Sequence, residues 1–119
     1  MMRNPKATHV NFKEFIGVIP NTKMLPSNVD MIMEHRGCFL VGEWKRDGEY
    51  MGLGQEILLK QLAKVPYFTV LVITGNTDDL TLVEKVEIIS ADGKFKTLCS
   101  TFKQLKEFIV RWYKYSEER

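Results

Sequence analysis

The sequence predicts a mixed α/β fold: one β-sheet with helices packed against it. Three observations carry that expectation. Two hairpin-like stretches each turn on a glycine-containing dipeptide, Arg36-Gly37 and Asp92-Gly93. The apolar run Phe68-Thr69-Val70-Leu71-Val72-Ile73 has the composition of a strand covered on both faces. Helical repeats lie between the first hairpin and that run, and again after the second hairpin.

The elements follow in order. In Asn11–Ile16 the apolar residues Phe12, Phe15 and Ile16 predict a short helix capped by Asn11 and ended by Gly17 and Pro20. From Val29 to Lys45 the chain reads as two strands, and apolar residues on both faces place the pair inside a sheet covered on both sides. Arg46 to Gly54 is a polar connection whose glycines suit a mobile flap. Leu58, Leu62 and Val65 then recur at helical spacing, Glu56 and Lys60 form an i,i+4 pair, and Pro66 ends the helix. Tyr67–Thr74 is the expected central strand, closed by Gly75-Asn76. Strand, helix, strand implies a right-handed parallel crossover. A second hairpin joins Glu84–Ile89 to Lys94–Cys99 through a two-residue loop at Asp92-Gly93. In the last helix Thr101 and Gln104 have capping-box spacing. Its core stripe is Phe102, Leu105, Phe108, Ile109 and Trp112, with Tyr113 in the core and Tyr115 exposed.

The chain has 119 residues, 45% hydrophobic and 27% charged, which fits a single domain spanning 1–119 with a core of its own. A net charge of +2 neither requires nor forbids a nucleic-acid partner. The basic residues Arg46, Lys60, Lys64, Lys103, Lys106, Arg111 and Lys114 read first as solvated. Cys38 and Cys99 lie in apolar strand-like runs, where buried free thiols are expected. His35 would pair with Cys38 across the turn, but Cys99 and His9 lack the close spacing of zinc half-sites. No apolar run is long enough to span a bilayer and the first residues are polar, so a cytoplasmic location without membrane attachment is expected.

The chemistry follows from the first hairpin. A two-residue loop centred on Arg36-Gly37 pairs residues whose numbers sum to 73, so Asp30 opposes Glu43. Lys45 emerges on the same face, and Ile32 and Val41 form an apolar pair beneath. Two carboxylates directly opposite have Cβ atoms about 5 Å apart and repel unless compensated. A hard divalent cation, Mg²⁺ or Mn²⁺, suits those oxygens. Glu34 shares the face but lies about 13 Å along the strand from Asp30, too far for the same ion.

Asp30, twelve intervening residues and then Glu43-Trp44-Lys45 resembles the active-site motif of the PD-(D/E)xK nuclease superfamily. Val29 stands where that motif carries proline, and Pro26 lies four residues before Asp30. The likeness covers about residues 10–75. It implies a restriction-endonuclease-like mixed sheet flanked by helices, an αββαβ core to which the second hairpin and last helix are added. It further implies a metal-dependent deoxyribonuclease, a phosphodiester hydrolase acting on DNA with Mg²⁺ or Mn²⁺. The metal would be held by Asp30, Glu43 and the Trp44 backbone carbonyl, with Lys45 orienting the attacking water or stabilising charge on the phosphate. Gln55, on the helix after the hairpin, and Glu14, on the N-terminal helix, match positions that other members use. A domain this small resembles the replication, repair or recombination nucleases of phages and bacteria, implying the cytoplasm of a bacterial cell or phage-infected host. Many of these act as homodimers, although no residue of this sequence fixes an interface. The alternative is a non-catalytic module that uses the same fold to bind nucleic acid or protein; a third reading is a metal-dependent enzyme acting on a smaller phosphoester.

Overall fold

The computed structural model describes residues 11–21 and 24–119. His9 lies outside the described residues. Asn11 Oδ1 accepts from the Lys13 N–H at 3.0 Å, and the expected first helix is a single 3-10 turn, Lys13–Phe15. Ile16 caps it in an extended conformation and Gly17 then adopts a positive φ, so the turn does not continue into an α-helix.

Five strands form one sheet in sequential order: β1 (Met31–His35), β2 (Cys38–Lys45), β3 (Phe68–Gly75), β4 (Val83–Ile89) and β5 (Phe95–Cys99). Neighbours are antiparallel except β2 and β3, which are parallel and joined by α1 (Leu53–Ala63). The expected crossover is therefore present. Arg36 and Gly37 both take positive φ, 52° and 82°, as the tightest hairpin turn requires. The register that follows, from His35↔Cys38 to Met31↔Gly42, keeps the sum of 73 throughout.

Alternation divides the sheet into two faces. Cys38, Leu40, Leu71, Ile73 and Val86 pack beneath α2 (Phe102–Glu117) with Leu105 and Trp112. Thr101 caps α2 by accepting from the Gln104 N–H at 3.1 Å, and Phe102, Phe108 and Ile109 join this cluster as expected. On the other face Val41, Val70, Val72 and Ile89 pack with Leu59 and Ala63 of α1.

Four further expectations are corrected. First, β1 is an edge strand with Ile32 61% exposed, because α1 packs on β3 and β4 and leaves that end of its face open. Second, the inward stripe of α1 is rotated: Leu59 and Ala63 are buried, Leu58 and Leu62 are half-buried, and Val65 is exposed beyond the helix end. Third, the second hairpin has a three-residue loop, Ala91-Asp92-Gly93. Ser90 and Lys94 flank it through the Ser90 N–H to Lys94 O bond of 2.9 Å, and Gly93 takes φ +84° to close it. Fourth, Tyr113 is exposed and stacks on His35 with ring centroids 4.8 Å apart, tying α2 to the first hairpin beside the 3.1 Å His35–Glu117 pair. Several basic residues lie over aromatic rings: Lys106 on Phe102, Arg111 on Phe108 and Lys60 on Phe95.

At Gly75, where β3 leaves the sheet, an added Cβ would meet Leu82 O at 2.4 Å and Val83 Cα at 3.1 Å, both backbone atoms. Gly75→Ala is therefore expected to lower stability by about 1–3 kcal/mol through overpacking. Gly54→Ala, in α1 with nothing within 4 Å of its added Cβ, should raise stability by about 0.5–1 kcal/mol. Urea unfolding monitored by circular dichroism measures both, and equal effects of the two substitutions would contradict this packing.

Candidate active site

The site lies where β2 and β3 end side by side, the position at which open α/β sheets bind ligands. β2 is covered on both faces over most of its length, so a polar residue facing α1 near its end is taken out of water. Glu43 is that residue. It is 7% exposed, and its Oε2 is buried without a hydrogen-bond partner.

Asp30 directly precedes β1, and the register carried one step further sets it opposite Glu43. In this ladder the N–H groups of alternate β2 residues point toward β1, and that of Trp44 donates to Asp30 Oδ2 at 2.8 Å. Asp30 thus replaces a ladder carbonyl and stops the hairpin there. The Trp44 carbonyl points to the same side. Burial, and then the Asp30 carboxyl beside it, push the Glu43 carboxyl up from 4.5 to about 7, with the Gln55 side chain acting in the opposite sense as a hydrogen-bond donor. Gln55, one turn before the buried Leu59, therefore faces the sheet at the carboxylate end.

Lys45 is the last residue of β2, on the Glu43 face, with its Nζ donating to Glu49 O at 3.3 Å. It lines a groove of about 260 Å³ with Glu49, Tyr50, Val72 and Glu87, while Asp30 lines a second groove with Trp44, Thr77 and Leu80. A larger groove of about 670 Å³ beyond Gly75, lined by Arg46 and Asp78 among others, contains none of the site carboxylates.

The structure thus brings together Asp30, Glu43 and Gln55, and sets Lys45 two residues beyond Glu43 on the same face with its Nζ turned to Glu49 O. It does not bring Glu14 to them: Glu14 is exposed on the 3-10 turn, and among the described residues no three His, Cys, Asp or Glu side chains cluster as metal ligands. Cys38 is buried on the opposite face, under α2, and Cys99 packs at the edge of that same cluster. Sequence reasoning missed Thr74, which is 4% exposed with an unpartnered Oγ1. The signal was a hydroxyl at the end of an otherwise apolar run. No protein-family model, curated protein or solved structure matches this chain.

The raised Glu43 carboxyl has a thermodynamic consequence. Between pH 4.5 and about 7 the unfolded chain gives up this proton while the folded chain keeps it, so stability falls as pH rises through that window and levels off above it. Glu43→Gln cannot titrate. In EDTA its thermal midpoint is expected to gain on that of the wild type from pH 5 to about 7 and then to hold that lead, equivalent to about 1–3 kcal/mol. Parallel pH profiles for the two proteins would show that the carboxyl is not held out of water.

Proposed function

We propose that this chain is a Mg²⁺-dependent nuclease that hydrolyses phosphodiester bonds in DNA, built on a restriction-endonuclease-like sheet of the PD-(D/E)xK kind. One observation carries the reading: a buried glutamate with an unpartnered oxygen, set beside a second carboxylate at the open end of parallel strands. Buried polar atoms are nearly always satisfied, so Glu43 Oε2 calls for a proton or a cation. The neighbouring Asp30 makes a cation the better partner once both groups are ionised.

The residues fit a hard divalent ion. Asp30 and Glu43 supply carboxylate oxygens, and the Trp44 carbonyl supplies a neutral one on the same side. When bound, Mg²⁺ would polarise the phosphate and acidify a coordinated water. The chain's own residues do the rest. The Trp44 N–H fixes Asp30, leaving Oδ1 free of that bond. Gln55 donates toward Glu43 and steadies its carboxylate form. The Lys45 ammonium presents hydrogen-bond donors at the same strand end, where it holds the attacking water or meets negative charge developing on the phosphate. Water adds to phosphorus and gives up one proton to solvent, one P–O ester bond breaks, and the leaving oxygen takes a proton from solvent. The loop Arg46–Gly52 runs from Lys45 to α1 and carries Tyr50, 90% exposed over the groove, in a place to cover bound substrate.

With Mg²⁺, wild-type protein is expected to cut plasmid, linear, single-stranded or branched DNA, and EDTA should stop it. Asp30→Ala, Glu43→Gln and Lys45→Met should each lower the cleavage rate by at least about 10²-fold, while Asp30→Ala keeps DNA affinity. Gel assays of product together with fluorescence anisotropy of labelled DNA measure both quantities. No cleavage of any DNA in Mg²⁺ or Mn²⁺, with binding intact, would favour the non-catalytic module. Because the ion competes with the Glu43 proton, Mg²⁺ affinity measured by calorimetry should rise with pH up to about 7 and then level off.

A further inference from the structure

Three polar residues stand in one row across the open end of the sheet. Register pairs Lys45 with Thr74 on one side and Thr74 with Lys85 on the other. Alternation puts all three on the α1 face, two residues beyond the row formed by Glu43, Val72 and Glu87. The Lys45 and Lys85 backbones are therefore about 10 Å apart with Thr74 midway, and the row lies about 7 Å along the strands from the carboxylate row.

Each member has donors to spare. Thr74 is 4% exposed, and its buried Oγ1 has no partner. Lys45 Nζ has its one bond to Glu49 O at 3.3 Å, and Lys85 Nζ lies 3.5 Å from Glu87 Oε1. An ammonium has three N–H groups, so both lysines keep donors for another acceptor. Glu87 steadies Lys85 at the strand end and is itself only partly exposed. Two cations flanking an unsatisfied hydroxyl match an anion with several oxygens. Lys45, which also serves the reacting phosphate, stands nearest Glu43 in this row, so Thr74 and Lys85 are the members left to hold a neighbouring anion.

We propose that Thr74 and Lys85, together with Lys45, form a second phosphate subsite that holds the phosphate next to the scissile one, so that the substrate is a polynucleotide and not an isolated phosphoester. The proposal rests on the nuclease reading for the identity of the scissile phosphate. Thr74 and Lys85 are positioning residues.

The test uses the full chain with Thr74→Val, Thr74→Ser and Lys85→Ala. Binding of a labelled oligodeoxynucleotide is measured in EDTA. Mg²⁺-dependent hydrolysis is measured for that oligonucleotide and for bis(4-nitrophenyl) phosphate, which carries one phosphate. Thr74→Val and Lys85→Ala should each weaken oligonucleotide binding and raise its KM by about tenfold with kcat unchanged. Both should hydrolyse the single phosphoester like wild type, and Thr74→Ser, which restores the hydroxyl, should bind like wild type. Lys85→Ala should also reduce the slope of log affinity against log salt by about 1. Wild-type affinity in both Thr74→Val and Lys85→Ala overturns the subsite. An equal loss on the single phosphoester also overturns it, since the row would then act on the reacting phosphate. If wild-type protein hydrolyses neither substrate, the nuclease reading fails by itself, and the binding measurements still decide whether the row holds a phosphate.

Discussion

The turn at Arg36-Gly37 is the constraint on which the site depends. Both residues take positive φ, and the two-residue loop they form fixes the hairpin register. A slip of one residue would send every side chain of one strand to the opposite face. Asp30 and Glu43 would then no longer meet, and the apolar residues of β2 that pack under α2 would exchange places with those under α1. The Glu34 carboxylate accepts from the Gly37 N–H at 2.9 Å, and His35 docks on Tyr113 and Glu117 of α2. The turn is therefore held locally and from the far end of the chain, and the carboxylates inherit their position from it.

The two faces of the sheet divide the work. Under α2 the packing is continuous, from Leu105 through Trp112 to Ser116, all buried against strands that contribute Leu40, Leu71, Ile73 and Val86. Under α1 it is not. That helix has eleven residues and packs on β3 and β4, so the apolar cluster ends at Val72, and polar groups take over toward the strand ends. Glu43 sits at the boundary, deep enough to lose water and close enough to the open end for an ion to reach it. A longer α1 would have sealed the face and forced an apolar residue there.

Much of this was legible in the sequence because it depends on local patterns. Hairpin register is arithmetic once the turn residues are recognised, and the parallel crossover follows from strand, helix and strand in succession. Asp30, Glu43 and Lys45 could therefore be placed on one face from numbering, while Gln55 entered through the resemblance. What failed depended on tertiary coverage. The apolar residues of β1 gave no sign that α1 would miss them, and the stripe of α1 was ambiguous because Leu58, Leu59 and Leu62 are all leucines. The three-residue loop at Asp92 turned on Ser90 and Lys94 as its flanking pair, which composition does not reveal. Thr74 was hidden because a threonine at the end of an apolar strand looks like an ordinary β-former.

On the proposed nuclease reading, charge placement and not net charge is what a polyanionic substrate would meet. At the open end of the sheet the α1 face carries two carboxylates in its inner row, Glu43 and Glu87, and two lysines in its outer row, Lys45 and Lys85, in matching register. Several described cations elsewhere have partners of their own: Lys60 lies 3.9 Å from Glu56, Lys106 and Arg111 rest on aromatic rings, and Arg46 donates to Thr77 Oγ1 at 3.2 Å. The field that an approaching phosphate meets at the strand ends is set by this alternation and not by the total charge. Negative charge lies in the inner row, where the proposal puts the cation, and positive charge lies one step outward, where it puts the substrate backbone. An arrangement that only balanced surface charge would need no such order, nor would it bury Glu43 and Thr74 with unsatisfied atoms next to it.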